Sequence, residues 1–485
     1  MQGYNYERLS AQDASFLIFE TPSIPMHVAA TTIFEAGPLR SESGGVDISA
    51  IKGATEAILH LIPRYRQKLA WIPLIGHPVW IDDRDFNLDY HIRHTSLPRP
   101  GTDEQLRALS ARVMSHQLDR ARPLWETWIV EGLEGDRFAM INKLHHCMVD
   151  GSSGMDIAHV LMSTDPDYRP DGDVPVFIPH LAPGAAELIR DELLRRASLP
   201  FQLIRDIRHM REHTEDLGHE IAIRARALQE LVGWAVHPPS ETPLNGTLGP
   251  HRRFDWLTMS LDSVKAVRKA LGCTVNDVVL TTVTGAVREF LIRRNMRPED
   301  VDFRVSAPVS VRRDEERGKL GNRVSSWIVR LPVEEANPLR RVEAIHEVTH
   351  ALKNSQQALG VEMIMQAAEW TPPILMSLGA RAASGPINMI VTNVPGPQTP
   401  LYLLGAKSLG TYPMVPLLEH TGLGVALMSY DGKLCWGFNA DYELIPDLAA
   451  FRIAIEASFD RLSRAAGIHP EGGAVVELHV EAKTS

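Results

Sequence analysis

Apolar and polar residues alternate in short runs through the first third of the chain, and between those runs the apolar positions recur every three or four residues. His27 to Glu35 (HVAATTIFE) and Arg137 to His146 (RFAMINKLHH) have the two-residue period that turns one face of a strand toward a core. Ile48 to Ile62 and Glu104 to Leu118 have the helical period. Residues 1–180 therefore read as one mixed domain of strands and helices. From Leu181 to Val236 the text is rich in Arg, Glu and Leu at helical spacing, with an interruption expected at Pro200. His237 to Phe254 then concentrates Pro, Gly, Thr and Asn, as an extended loop does.

The strand pattern returns near Arg253. RFDWLTMSLDSVKAVRKAL predicts a strand running into a helix, TVNDVVLTTVTGAVREFLIRR a helix, and FRVSAPVSVR and RVSSWIVRLPV two strands. Asn337 and Pro338 form a cap and a first helical residue for Asn337 to Gln357. Asp431-Gly432 suits a tight turn between two late strands, and DLAAFRIAIEASFDRLSRAAG closes as a helix. The expectation is an α/β protein of the α+β type. It has an N-terminal domain (1–180), a helical linker with an extended loop (181–250) and a similar layered domain (251–485).

Composition narrows the classes. At 485 residues the chain exceeds what one core usually serves, and 44% apolar with 23% charged residues is globular. A formal charge of −10 argues against a nucleic-acid partner, since counterion release rewards a concentrated positive surface. Cys147, Cys273 and Cys435 are odd in number and widely spaced, which fits no disulfide framework and implies a reducing compartment. No signal peptide and no long apolar stretch is visible. The expected place is the cytoplasm, without a transmembrane helix, with peripheral attachment to the inner membrane face or a lipid inclusion open to the Arg-rich linker helices.

The densest chemistry is HHCMVDG, His145 to Gly151. Neighbouring histidines on a strand point to opposite faces, so they do not readily share a metal, and no third ligand stands at a recognised spacing. A neutral imidazole can take a hydroxyl proton near neutral pH, which makes one histidine a candidate general base. Strand-end histidines with no catalytic duty are the alternative. Cys147 as nucleophile has poor partner geometry, and a small buried residue is the simpler reading. No GxSxG, P-loop or GxGxxG is present.

Nine ordered blocks carry a resemblance. They are LSAQDASFLIFETPSIPMHVA from Leu9, RPLWE from Arg122, KLHHCMVDG from Lys143, TPLNG from Thr242, GPHRRF from Gly249, VNDVVL from Val275, PVSVR from Pro308, LGNRVS from Leu320 and TNVPGP from Thr392. In this order they resemble the bacterial wax ester synthase/diacylglycerol acyltransferase family, within the HHxxxDG superfamily of CoA-dependent acyltransferases.

The resemblance implies two domains like chloramphenicol acetyltransferase with an active-site tunnel between them. It implies fatty acyl-CoA as co-substrate, no other cofactor, no metal, and a diacylglycerol or long-chain alcohol as acceptor. His146 would be the general base in a direct transfer without an acyl-enzyme, and His145 a support for its geometry. Asp150 and Gly151 would shape the loop, with Arg312 as a partner for Asp150. Asn276 would orient the site or donate to the oxyanion with Asp277 in support, unless both only cap a helix. Pro123, Leu124 and Trp125 would line substrate or pack in the core. Asn393 and Gly396 would form a rigid loop near the tunnel and bind substrate, unless Pro and Gly there only set a turn. Tyr412 to Tyr430 suits either a lipid channel or strand core. The rival functions are an acyltransferase that draws on a carrier-protein donor, and a non-catalytic protein that binds lipid or coats inclusions.

Overall fold

A computed structural model describes residues 6–42, 44–148, 160–170, 174–213, 238–310, 324–353 and 387–468. In the first half the strands are β1 (Tyr6–Arg8), β2 (His27–Glu35), β3 (Gln67–Trp71), β4 (Pro78–Asp82), β5 (Ile92–Ser96), β6 (Trp125–Leu133) and β7 (Arg137–His145). The helices are α1 (Ala11–Phe19), α2 (Ile48–Ile58), α3 (Leu88–His91) and α4 (Asp103–Ser115), followed by α5 (Ala185–His213). Polar caps start several of them. Ser10 Oγ accepts the Asp13 N–H at the head of α1, and Thr102 with Gln105 forms a reciprocal capping box on α4.

The second half contains β8 (Arg252–Ser260), α6 (Leu261–Leu271), α7 (Val275–Arg293), β9 (Phe303–Ser310), β10 (Val324–Leu331) and α8 (Pro338–Lys353). After these come β11 (Met389–Val394), β12 (Tyr402–Leu403), β13 (Ala406–Met414), β14 (Leu423–Tyr430), β15 (Lys433–Asp441) and α9 (Leu448–Ala465). Asn337 Oδ1 accepts the Leu339 N–H, which realises the cap expected before Pro338. Asp431 and Gly432 have φ of 43° and 72°, the left-handed geometry of a tight hairpin turn between β14 and β15.

Two six-stranded mixed sheets organise the protein, ordered β12-β13-β2-β7-β6-β5 and β10-β9-β11-β14-β15-β8, beside a small sheet β1-β4-β3. The α/β architecture with two sheet-and-helix halves is the one the sequence pattern implies. The sheets do not follow a single cut of the chain, however. β13, far along the second half, pairs antiparallel with β2 from Ser408 opposite Phe34 to Met414 opposite Ala29. This exchange puts residues 406–414 in the first sheet, which a boundary at 251 does not contain.

The crossing is made possible locally by Gly437 on β15, where a Cβ would lie 1.9 Å from the Pro413 carbonyl oxygen. A mixed core of Ile33, Leu106, Phe254, Trp256 and Tyr412 then joins the halves. Trp256 stacks on Tyr412 at 4.9 Å, and Arg107 of α4 pairs with Asp255 of β8 at 3.1 Å. Arg252 reaches back to the Ser23 carbonyl, so the start of β8 is tied to the loop before β2.

Two local features depart from the sequence reading. α5 continues past Pro200, where an interruption was expected; one missing N–H does not end a helix whose other hydrogen bonds remain. Strand β7 stops at His145, and residues 146–148 form a 3₁₀ turn. Among the described residues no single helix is long and apolar enough to cross a membrane; α6 and α7 meet that measure only together, bent by 98°.

Candidate active site

The end of β7 is built from buried polar groups. Lys143, 2% exposed, donates Nζ to the Val113 carbonyl at 2.8 Å and to the His116 carbonyl, closing the C-terminal end of α4 with a positive charge. Burial lowers its pKa to about 8. His145 stands directly opposite His27 of β2 and the two rings meet edge to face at 5.6 Å, both fully buried. The His145 main-chain N–H donates to the Leu124 carbonyl at 2.9 Å, so the PLW block and the histidine pair are brought together.

The chain turns at His146 because the Cys147 N–H donates to His145 Nδ1 at 3.1 Å, while the His146 N–H donates to the Met26 carbonyl at 2.8 Å. The two histidines therefore still diverge, by a turn rather than by strand alternation. The His146 ring lies flat on Phe16 of α1, with centroids 3.9 Å apart and planes at 21°. Burial, with a smaller push from His145, lowers its pKa to about 4, so the ring is neutral at pH 7. The residue's own main chain opposes that drop, and Nδ1 is buried with no hydrogen-bond partner among the described residues. His146 keeps partial exposure.

A carboxylate that the sequence reading did not single out sits beneath this turn. Glu20, whose side chain is 2% exposed, receives Arg120 Nε at 3.0 Å and Nη2 at 2.6 Å on Oε2. Its Oε1 accepts the Met26 N–H at 3.3 Å and faces His27 Nε2 at 3.3 Å and His145 Nε2 at 3.5 Å. Burial pushes the Glu20 carboxyl up, but His145 and Arg120 outweigh it and the pKa falls below the ordinary value. One signal was available in the sequence: an acid at the C-terminal end of an apolar helix opposes the helix dipole and needs a cation from elsewhere. Among the described residues no three His, Cys, Asp or Glu side chains converge as metal ligands.

The remaining expected residues fall into separate settings. Cys147 is 1% exposed and burial raises its thiol pKa well above 9.0, so it is no thiolate. Pro123, Leu124 and Trp125 are all buried. Trp125 donates Nε1–H to the Tyr65 carbonyl at 2.8 Å and stacks on His91 at 4.5 Å, which gives it core partners on each side. Asn276 is half-buried in the first turn of α7.

Asp277 is fully buried and forms a capping box with Thr274. It also accepts Thr349 Oγ1 at 2.7 Å and His346 Nδ1 at 2.8 Å from α8. Burial alone would raise its pKa; the Thr349, His346 and Thr274 bonds bring it below normal. Asp277 thus caps the helix and ties it to α8.

Asn393 is half-buried one residue before the end of β11, and Gly396 donates its N–H to Ser429 Oγ at 3.1 Å. A Cβ on Gly396 would stand 2.3 Å from the Ser429 carbonyl oxygen, so this loop requires glycine for close approach to β14. Leu423, Val425, Leu427 and Tyr430 pack within β14 as buried core. Asp150, Gly151 and Arg312 lie outside the described residues.

The chain is similar to known proteins. The profile of the wax ester synthase/diacylglycerol acyltransferase catalytic domain matches residues 9–279, and that of the WS/DGAT C-terminal domain matches 320–463. A protein of Mycobacterium tuberculosis (strain ATCC 25618 / H37Rv), named "Probable diacyglycerol O-acyltransferase tgs1", is 31% identical over 470 residues, 94% of this chain and 95% of that one. The solved wax ester synthase/diacylglycerol acyltransferase from Marinobacter aquaeolei VT8 superposes with a TM-score of 0.66 at 26% identity, covering 95% of this chain and all of that one. The first condensation domain of the calcium-dependent antibiotic synthetase shares the fold, with a TM-score of 0.57 at 15% identity over 96% of this chain and 97% of that domain.

Proposed function

The chain belongs to the wax ester synthase/diacylglycerol acyltransferase family and is an acyltransferase, and from that premise we propose that it moves a fatty acyl group from acyl-CoA to diacylglycerol, a long-chain alcohol, or both. His146 takes the hydroxyl proton, the alcohol oxygen attacks the thioester carbonyl, and the CoA thiolate leaves with that proton returned to sulfur. The observation that carries this reading is the neutral His146 ring, held flat on Phe16 at the end of β7 and still partly exposed.

A ring kept neutral at pH 7 is in the form a base must have. The negative charge that builds on the substrate oxygens during reaction raises the ring's proton affinity when it is needed. Asn276 at the start of α7 is the candidate to donate to that oxygen or orient the acceptor. The buried, protonated Cys147 thiol favours direct transfer over an acyl-enzyme. Asp150, with Arg312 as partner, keeps the loop-shaping role that the family resemblance implies. The substrates reside in lipid, which makes peripheral contact with a membrane or lipid inclusion part of the same proposal.

The test is steady-state ester formation by purified protein with palmitoyl-CoA, offered dioleoylglycerol and hexadecanol separately, with both substrates varied. Ester product with intersecting reciprocal plots is expected, and the ratio of the two acceptors names the preferred alcohol. No ester with either alcohol from folded protein would overturn the reading, and parallel plots would overturn direct transfer.

A further inference from the structure

The adjacent histidines each face one residue at the C-terminal end of α1, Phe16 in its last turn and Glu20 at its cap. Phe16 lies under the His146 ring, and Glu20, four residues on, faces His145. The two are joined by the helix's closing hydrogen bond, Glu20 N–H to the Phe16 carbonyl at 3.1 Å. Arg120 clamps both ends of this turn, with Nε and Nη2 on Glu20 Oε2 and Nη2 also on the Leu17 carbonyl at 2.9 Å. A single helical turn therefore addresses both rings of the motif.

The protonation of His145 follows from its neighbours. Its Nδ1 accepts the Cys147 N–H, so in the neutral ring the proton resides on Nε2. Nε2, which is buried and makes no hydrogen bond among the described residues, has Glu20 Oε1 3.5 Å away, where a lone pair would meet a carboxylate oxygen and a proton is attracted. At 3.5 Å the approach is long for a hydrogen bond and acts as an electrostatic contact. The Cys147 N–H that needs this tautomer is the one that starts the 3₁₀ turn bearing His146. If the proton moves to Nδ1, two N–H groups face each other and the turn loses its anchor.

We propose that Glu20, clamped by Arg120, is a positioning residue for acyl transfer: its carboxylate holds His145 in the Nε2–H tautomer, and His145 thereby fixes the turn that aims His146. This rests on His146 being the base, but its spectroscopic test does not. Glu20 touches neither reacting group; it acts through His145 and, through the shared helical turn, keeps Phe16 beneath His146.

Glutamine at position 20 cannot serve both sides. If its oxygen faces Arg120, its NH₂ faces the His145 Nε2–H; if it is flipped, the NH₂ faces the guanidinium. In Glu20→Gln we expect kcat to fall about tenfold or more with KM within about twofold, as a misaimed base produces, and the melting temperature to show a folded protein. Nitrogen-15 histidine spectra, with His145 assigned through His145→Gln, should show the Nε2–H pattern in the parent and its loss in Glu20→Gln.

Glu20→Asp, which keeps the charge, should recover part of kcat and the parent tautomer. A Glu20→Gln protein with parent kcat and the parent His145 tautomer would overturn the proposal. Lost kcat with an unchanged tautomer would overturn it too, because Glu20 would then act by another route. Should Glu20→Gln not fold, Arg120→Lys carries the test, because Arg120 is 37% exposed. A drop in kcat with a mixed His145 tautomer is expected there, and parent values for both would refute the clamp.

Discussion

In the first large sheet, β2 and β7 set His27 opposite His145 and Ala29 opposite Lys143; in the second, β14 and β15 set Leu427 opposite Trp436 and Val425 opposite Phe438. The architecture is alike and the buried chemistry is not. His27, Lys143 and His145 are at most 2% exposed, and each faces named polar groups: the Leu118 N–H, the Val113 carbonyl of α4 and the Glu20 carboxylate. The second sheet's centre is apolar packing continuous with α7 and α9. A buried polar group is tolerated only when its partners are in place, whereas apolar neighbours of similar volume substitute for one another at modest cost. One half thus holds a chemically exacting cluster, and the centre of the other sheet is apolar scaffold.

Breaking the exacting half at its tip has the largest expected effect. His146→Ala should lower ester formation by about two or more powers of ten while the melting temperature stays close to the parent's, since among the described residues Nδ1 has no hydrogen-bond partner and the ring's aromatic neighbour is Phe16. Activity within a few-fold of the parent would end its role as base. Next comes Lys143→Met, which keeps the apolar stem but strands the Val113 and His116 carbonyls. Urea unfolding should show a loss of about 2–3 kcal/mol, and a loss below about 0.5 would show that water satisfies those carbonyls.

Acid sharpens the same contrast. Burial holds His77 and His91 to a pKa of about 4 and His27 well below its ordinary value. The unfolded chain takes these protons near pH 6.5, whereas the folded chain refuses those of His77 and His91 until about 4 and that of His27 until well below the ordinary value. Stability is therefore fully present above 6.5 and is lost as pH falls from 6.5 toward 4. Melting temperatures measured from pH 7.5 to 4.5 should drop chiefly below 6.5, and a flat profile would contradict the burial of these rings in neutral form. The smallest effect belongs to the scaffold: Leu427→Met, a volume-conserving change in β14, should cost less than about 1.5 kcal/mol with ester formation unaltered. A larger loss would mean that the second sheet is packed as exactingly as the first.

What the sequence made legible was local. The helical periods, the Asn337-Pro338 start and the Asp431-Gly432 turn each have a cause within a few residues, and each element stands where that cause puts it. The histidine pair and the Asn276-Asp277 block were visible as residue types in a pattern. The missing parts depend on distant contacts. Nothing local tells β13 to join β2 rather than its own half, and the need for Gly437 appears only once Pro413 lies against it. Glu20 and Arg120 are 100 positions apart, so their pairing beneath His145 is a property of the folded chain. Trp125 looked equally suited to substrate and core until Tyr65 and His91 took up its N–H and its face.

The central claim is that the base is a histidine kept neutral by burial at the end of β7. The pH dependence of kcat/KM reports the free enzyme's base, so brief assays from pH 8 down to 4, with stability checked at each pH, test it most directly. Protonated His146 cannot accept the hydroxyl proton, so the rate falls as pH drops through its pKa. The account predicts a plateau to about pH 5 and a limb centred near 4. A limb centred near 6.5, the value of an exposed imidazole, would contradict it.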